Sequence, residues 1–410
     1  VPSVNVTLLP TFICSGETTN PSATFLSCLG TIVPNSYSWT FESGIPPTST
    51  LIDPNSVQFF NSGNTNITKV ITASAANECG IGTGTANLVI KPVPVVSINL
   101  PNQAICSGSN TQAIPITSTV TPTTYSWTAS ATGGITGFQS TGTANPIPVW
   151  TLTNPGITPG IVTITIIPTA NGCAGNTLTY TITVNPKPTV PNQPVTICSG
   201  SSFNVTPSNN PPSTIVPAGT TYSWALPTGG GFSGGATGSD QSSISGTLFN
   251  TTNALQTAIY SVTPTSGATG SCVGAPFTIT VTINPKPIVP DQPATICSGN
   301  PFTISPTNAP PLTIVPTGTT YSWPLPTGSG FTGGAIGTSL PSVSGTLTNL
   351  TSSVQTAVYT VTPLSGTCPG ASFTATVTIN PKPFVPAQTT TICSGGSFSI
   401  APTDAPPAVI

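Results

Sequence analysis

The tetrapeptide Ile-Cys-Ser-Gly occurs five times in this chain of 410 residues, and this repetition constrains the fold more than any other feature. Successive copies of its cysteine are 92, 92, 99 and 96 residues apart. A spacing near 95 is too long for a solenoid repeat, which runs about 20–50 residues. It fits an independent β-sandwich of about 100 residues. The five cysteines are Cys14, Cys106, Cys198, Cys297 and Cys393.

Three further signals recur between these copies. They are Tyr-Ser-Trp, a second cysteine, and a strand that ends in Lys-Pro and closes each unit. The chain stops within the fifth unit, so we expect it to be a window of something longer. The repeat predicts four complete domains and the start of a truncated fifth, at residues 1–92, 93–188, 189–287, 288–383 and 384–410.

Within each unit the apolar residues alternate with polar ones. Residues 277–283 read Phe-Thr-Ile-Thr-Val-Thr-Ile, and residues 178–184 follow the same pattern. A period of two indicates a strand with one face in a core and the other in water. No stretch shows a convincing helical period, and turn residues punctuate every run. The sequence therefore predicts an all-β chain of tandem immunoglobulin-like β-sandwich domains.

The aromatic pair of Tyr-Ser-Trp lies on one strand face, because residues two apart in a strand point the same way. Recurrence at one position in every complete unit favours core packing over a platform for sugar rings. Trp150 occurs once, outside this set; packing is again favoured, but it is the best candidate for a ligand aromatic. The predicted core aromatics are Tyr37, Trp39, Tyr125, Trp127, Tyr222, Trp224, Tyr321 and Trp323.

Ten cysteines in a chain with so few charges indicate an oxidising compartment and one disulfide per domain. Each predicted bond joins the first-strand cysteine of a unit to the cysteine before its last strand. Cys393 would then pair beyond residue 410, and Cys28 is favoured as a buried free thiol over an alternative partner for Cys14. The predicted pairs are Cys14–Cys79, Cys106–Cys173, Cys198–Cys272 and Cys297–Cys368.

The small number of charges excludes several functions. Only 3% of the residues are charged, with five lysines, no arginine and no histidine, so no basic face for nucleic acid can form. The seven acidic residues are scattered, which argues against a paired-carboxylate hydrolase or a repeated calcium site. No unit has the close cysteine pair of a zinc site. We therefore expect no catalytic residue, cofactor or metal. We also expect no membrane span in this segment, because no apolar run reaches eighteen residues.

The linkers indicate how the units are joined. Asn-Pro-Lys-Pro, followed at residues 288–290 and 384–386 by an apolar residue, Val and Pro, favours an extended, polyproline-like backbone. Such joints predict a semi-rigid rod, on the order of 150 Å for this window, if sandwiches follow one another end to end.

The combination of Ile-Cys-Ser-Gly, Tyr-Ser-Trp and the Thr-alternating strand before Asn-Pro-Lys-Pro resembles the PKD-like, immunoglobulin-like repeats of very large Bacteroidota surface proteins. Members of that group are typically exported by the type IX secretion system, and some are adhesins, including the mobile adhesin of gliding flavobacteria. The resemblance implies an extracellular filament attached to the outer membrane. Here the cysteines lie near strand ends, so the central disulfide of true immunoglobulin domains is not carried over.

The leading hypothesis is a structural stalk that projects a binding tip for surface adhesion. The alternative is a set of carbohydrate-binding or spacer modules in a secreted polysaccharide-degrading protein, with Trp150 as the candidate contact. Ice binding by the threonine faces is weighed and disfavoured, because threonine is simply a good strand former. The partners implied are neighbouring repeats of the same chain, with surface glycans or laterally associated filament chains as further candidates.

Overall fold

A computed structural model describes residues 1–26, 35–267, 270–383 and 385–403. These residues form strands, bridges and turns with no helix, which confirms the predicted all-β class. Within this described part there is accordingly no helix long and apolar enough to cross a membrane. The chain divides into two units, Val1–Lys187 with Ala268–Cys272, and Pro188–Gly267 with Val273–Ile410.

The first unit contains repeats 1 and 2. The strands of repeat 1 are β1 Ser3–Thr7, β2 Phe12–Cys14, β3 Thr18–Thr19, β4 Ser22–Leu26, β5 Ser36–Phe41, β6 Thr48–Ser49, β7 Val57–Gln58, β8 Ile67–Asn77 and β9 Gly80–Lys91. Those of repeat 2 are β10 Val96–Ser97, β11 Gln103–Cys106, β12 Ser109–Asn110, β13 Thr117–Ser118, β14 Thr124–Ala131, β15 Thr141–Gly142, β16 Thr151–Leu152, β17 Gly160–Ala170, β18 Cys173–Ala174 and β19 Leu178–Asn185.

The second unit contains most of repeat 3 and all of repeat 4. The strands of repeat 3 are β20 Gln193–Cys198, β21 Ser202–Val205, β22 Thr221–Trp224, β23 Phe232–Gly234, β24 Gly238–Gln241, β25 Ile244–Asn250, β26 Gln256–Thr265 and β27 Phe277–Asn284. Those of repeat 4 are β28 Gln292–Cys297, β29 Pro301–Ile304, β30 Thr320–Trp323, β31 Phe331–Gly333, β32 Gly337–Leu340, β33 Val343–Asn349, β34 Gln355–Ser365, β35 Cys368–Pro369 and β36 Phe373–Asn380.

One sheet order recurs in all four repeats. The strand that carries Ile-Cys pairs in parallel with the last strand, which pairs antiparallel with the penultimate one. The Tyr-Ser-Trp strand lies beyond, so repeat 3 reads β20-β27-β26-β22-β24. A second, smaller sheet, β21-β25-β23 in repeat 3, supplies the other layer. Each repeat is thus a two-layer β-sandwich.

The core lies between the two layers. In β27, Phe277, Ile279, Val281 and Ile283 are buried while the threonines between them are half-exposed. Phe203 of the smaller sheet meets the ring of Tyr260 in an edge contact, with 5.5 Å between the ring centroids. Buried apolar area is the main favourable term in folding, so each repeat has its own source of stability.

Candidate functional site: the junctions between repeats

The Ile-Cys-Ser-Gly motif forms the turn that ends the first strand. In repeat 3 the Ser199 N–H donates to the Asn284 carbonyl at 2.9 Å, which ties the turn to the end of the last strand. Gly200 follows with φ +80°, a left-handed conformation that glycine adopts without a Cβ penalty. Its N–H donates to the Leu248 carbonyl of the second sheet at 2.8 Å. The motif therefore fixes Cys198 at the end of the repeat where the chain leaves it.

An asparagine completes this turn, and sequence reasoning missed its role. The Ser199 hydroxyl accepts the Asn250 N–H at 2.9 Å. The buried Asn250 side chain donates from Nδ2 to the carbonyls of Ala254, at 2.7 Å, and Ile283, at 2.9 Å. This role could have been inferred from the sequence, because an asparagine follows the motif serine at a similar distance in every complete repeat. The equivalent residues, with the same Nδ2 bonds, are Asn61, Asn154 and Asn349.

The disulfides join neighbouring repeats rather than the two ends of one repeat. Each connects the first-strand cysteine of one repeat to the cysteine before the last strand of the next, with Cα–Cα distances of 5.5–5.6 Å. The predicted pairing within repeats is therefore wrong, although three bonds, roughly one per repeat, are present. The bonds are Cys14–Cys173, Cys106–Cys272 and Cys198–Cys368.

Strand direction explains why pairing within a repeat fails. Cys198 is in register with Asn284, the last residue of β27. Cys272 precedes the first residue of the same strand, Phe277. Eight residues of strand separate the two ends by about 23 Å, whereas a disulfide requires Cα atoms within about 7 Å. The two cysteines of a repeat therefore lie at its opposite ends.

The remaining cysteines of the predicted set have different positions. The exposed Cys297 is in no disulfide with any described residue, and its predicted partner Cys368 is bonded to Cys198 instead. Cys79 lies exposed between β8 and β9, and is not the partner of Cys14. Cys393 is exposed and in no disulfide within the described part of the chain, and Cys28 lies outside it.

A glycine two residues after each bonded second cysteine packs against the linker. A Cβ on Gly370 would lie 2.5 Å from the carbonyl oxygen of Pro287, and one on Gly274 would lie 2.4 Å from that of Pro188. Gly175 approaches the Pro94 carbonyl in the same way. The pattern Cys-x-Gly therefore allows the hairpin before the last strand to contact the proline linker directly.

The first junction contains an additional polar bond. The Lys91 ammonium at the end of repeat 1 donates to the Asn171 carbonyl in the hairpin of repeat 2, at 2.9 Å. The same ammonium lies 3.6 Å from the ring centroid of Phe12, a cation–π geometry. Lys91 of the Lys-Pro pair thus connects repeat 1 to repeat 2 beside the Cys14–Cys173 bond.

The four tryptophans of Tyr-Ser-Trp are buried. Each indole N–H donates to a backbone carbonyl, for example Trp224 to Ala236 at 2.9 Å. The indole lies over a glycine, since a Cβ on Gly238 would be 2.4 Å from the Trp224 ring. Of the paired tyrosines, Tyr222 and Tyr321 are buried, and Tyr37 and Tyr125 are half-buried.

Trp150 does not present a face to a ligand. It is 5% exposed and packs edge-on against Trp127, with 5.7 Å between ring centroids. The other four indoles are at most 8% exposed. Stacking on a sugar requires an exposed ring, so the proposed ligand role of Trp150 is wrong. The carbohydrate-binding alternative loses the contact on which it depended.

Two carboxylates with shifted pKa values act as backbone caps. Asp291 accepts the Thr374 N–H at 2.7 Å, and this bond lowers the pKa of its carboxyl. Glu42 accepts the Val70 N–H, and that bond, with help from the nearby Lys69, lowers the pKa of its carboxyl. The two residues belong to repeats 4 and 1. In each case the shift has a structural cause.

The described residues contain no cluster of three or more histidine, cysteine or acidic side chains that could hold a metal ion. Two grooves lie within the second unit. One is lined by the hairpin residues Ser365, Gly366 and Thr367 of repeat 4 together with Asn253, Ala254 and Leu255 of repeat 3. The lining of the other includes the apolar residues Phe249, Ile288 and Val289 beside the Ser-Gly turn of repeat 3. The recurring geometry of this chain is thus a covalent junction, positioned by a strand end on one side and a hairpin on the other.

The fold is that of a tandem β-sandwich repeat protein, and the sequence comparison identifies its family. Residues 103–188, 195–287 and 294–383 match the PKD-like domain, and these matches cover more than half of the chain. The chain belongs to the PKD-like domain family. No curated protein sequence matches it.

Several solved structures of tandem domains are similar to this chain. An I-band fragment of titin matches with 13% identity over 70% of this chain and 98% of that chain, at a TM-score of 0.33. The human desmocollin-1 ectodomain matches with 11% identity over 90% and 79%, at 0.24. Three domains of the bacteriophage RB49 highly immunogenic outer capsid protein match with 12% identity over 70% and 99%, at 0.28.

Proposed function

We propose that this chain is a stalk segment of a long extracellular cell-surface adhesin, in which the repeats project a binding tip away from the cell. The observation that carries the proposal is the disulfide pairing. Each bond joins the exit end of one repeat to the next repeat, so it holds the two repeats together when the chain is pulled along its length. Disulfides persist in oxidising environments, so these bonds indicate an extracellular protein.

The surface and the linkers support the same role. Because only 3% of the residues are charged, the repulsion between charges along the chain changes little with ionic strength, and a stalk built from it would keep its length as salt varies. The linker carbonyl of Pro287 lies against Gly370 of the following hairpin, which restrains the joint between the two repeats of the second unit. Domains of the PKD-like and immunoglobulin-like kind are typically structural modules, and we propose no catalysis in this segment.

Attachment and movement are part of the proposal and rest on the family resemblance. The resemblance implies attachment to the outer membrane, export by the type IX system and, for one kind of relative, gliding motility. Surface glycans and laterally associated chains are the partners that such a filament would meet. The buried indoles leave no exposed tryptophan in these repeats for a glycan, so we place glycan recognition in a tip rather than in the stalk.

Small-angle X-ray scattering of the oxidised 410-residue chain tests the stalk. A compact protein of this length has a radius of gyration of about 22 Å, whereas a rod of about 150 Å has one of about 43 Å. We expect the larger value, unchanged between low and high salt. A value near 22 Å would overturn the proposal. A radius that grows with protein concentration would instead show lateral association.

A further inference from the structure

A short segment of backbone, of constant length, connects one disulfide to the next. The second cysteine of each of the last three complete repeats is followed 25 residues later by the first-strand cysteine of the next repeat. The segment between them contains the last strand, the proline linker and the next first strand, such as β19 and β20 between Cys173 and Cys198. These three segments are 173–198, 272–297 and 368–393.

The disulfides alternate along the chain and form two interleaved paths. The first runs through Cys14–Cys173, the segment 173–198 and then Cys198–Cys368. The second runs through Cys106–Cys272 and the segment 272–297. In a chain that continues with a complete fifth repeat, the same rule assigns Cys297 to the hairpin cysteine of that repeat.

The first path bypasses most of the polypeptide. Along the backbone, 354 residues separate Cys14 from Cys368, a contour of about 1,200 Å when fully extended. Through the two disulfides, 25 residues of peptide separate them, about 85 Å. Each bridge adds its Cα–Cα distance of 5.6 or 5.5 Å. Much of this short segment is already strand, so little slack remains in it.

We propose that the disulfides make this chain a tether with a covalent length limit: pulling can break the fold of a repeat without releasing the length of that repeat. The segment 106–172 of repeat 2, for example, lies outside the first path. Tension between Cys14 and Cys368 therefore passes along the bridges and the short segment between them. This inference deepens the proposed stalk function and rests on it, since a stalk is loaded along its length.

Force spectroscopy of the full chain, held by its two termini, tests the tether. In the oxidised protein the shortest covalent route uses residues 1–14, 173–198 and 368–410, about 80 residues or 270 Å. With dithiothreitol present all 410 residues carry the load, about 1,400 Å. We expect extension to stop near the first value and to increase about fivefold after reduction. Release of whole repeats, about 300 Å each, from the oxidised chain would overturn the proposal.

Two double variants give a matched control. In Cys198→Ser/Cys368→Ser the shortest route returns through repeat 2 and the Cys106–Cys272 bond, about 220 residues in all, so the extension limit rises almost threefold. Cys106→Ser/Cys272→Ser also removes one bond, but leaves the route of about 80 residues intact. We expect no change in its limit. Equal limits in the two variants would contradict the interleaved paths.

Non-reducing peptide mapping separates failure of the tether from failure of the stalk. A bond between Cys106 and Cys173 within one repeat would remove the tether, whatever the scattering shows. A compact radius of gyration with all three bonds intact would remove the stalk and leave the covalent limit in place. The mapping also shows whether each variant retains its other bonds, which keeps the force measurement interpretable.

Discussion

The interior of a repeat and its ends are stabilised in different ways. Inside repeat 4, Trp323, Tyr359 and Val377 are buried among apolar residues, and neither of the repeat's own cysteines is bonded to the other. At the end of repeat 3, Cys198 is bonded to Cys368 of repeat 4. Apolar packing therefore holds each sandwich, while covalent bonds hold one sandwich to the next.

This division has a mechanical consequence. We expect a core that unfolds under load to refold, because the bridged cysteines keep most of its backbone out of the loaded path. A disulfide within a repeat would protect that repeat and leave the joint as the weak element. The chain-entropy model assigns about 5 kcal/mol to a bond that closes a loop of 160–170 residues, but that loop spans parts of two repeats. The bonds therefore couple neighbouring repeats thermodynamically, in addition to the mechanical coupling that we propose.

The largest effect on the interior is expected from Trp323→Ala. The indole is 4% exposed and fills the centre of the repeat 4 core, so its loss should destabilise that repeat by about 3–5 kcal/mol. Hydrogen exchange resolved by peptide should show faster exchange in β34 and β36, with the Cys198–Cys368 bond intact. Leu325→Ala is the control, because Leu325 is 61% exposed two residues away. Equal protection in both variants would contradict a separate core in repeat 4.

A smaller effect is expected from Gly370→Ala at the junction. The added Cβ would lie 2.5 Å from the backbone oxygen of Pro287, so the linker must shift, at a cost of about 1–3 kcal/mol. Exchange should increase first at Ile288, whose N–H donates to the Ile314 carbonyl at 2.9 Å. Gly230→Ala is the control, since a Cβ there meets no atom within 4 Å. If the two alanines behave alike, the linker does not depend on the close contact.

The sequence predicts the interior well, because period two identifies the buried face of strands such as β27 from the residue types alone. The sequence does not predict the cysteine partners, because the period-two pattern contains no information about the relative direction of paired strands. Cys198 and Cys272 are adjacent to strands that are neighbours in the sheet, which makes a bond between them look natural. Since β20 and β27 run parallel, a cysteine at the end of one and a cysteine before the start of the other are a strand length apart.

The asparagine turn shows a second limit of sequence reasoning. Asn250 begins the tripeptide Asn-Thr-Thr, and Asn349 begins Asn-Leu-Thr. Both match the Asn-x-Ser/Thr pattern of N-glycosylation. In the structure both side chains are buried and donate to the last strand, so the recurrence reflects a backbone requirement. Recurrence across repeats was visible, but the partner carbonyls of Ile283 and Ile379 become apparent only when the turn and the strand end are placed together.

The smallest expected effect is a change in stability with pH, which should arise from the interiors of the repeats and not from the junctions at their ends. Burial raises the pKa of the phenols of Tyr222, Tyr260, Tyr321 and Tyr359, whose hydroxyls make no hydrogen bond within the described residues. A raised pKa in the folded state means that the unfolded chain loses its phenolic protons first. Stability should therefore be constant up to about pH 10 and fall as the pH rises further, through the pKa values of the folded state.

Thermal unfolding of the oxidised chain against pH, with accessible thiols alkylated beforehand, measures this effect. Tyr321→Phe should weaken the alkaline decline and leave stability at neutral pH unchanged or higher, because the hydroxyl that it removes is buried without a partner. Tyr125→Phe is the comparison at a half-buried phenol, whose pKa burial also raises, so it should weaken the alkaline decline less than Tyr321→Phe. The junction bonds bear no titrating proton, so the covalent extension limit should be the same at pH 7 and above about pH 10, where the alkaline decline takes place. A limit that shortens or lengthens with the alkaline transition would show that the cores, and not the disulfides, carry the load.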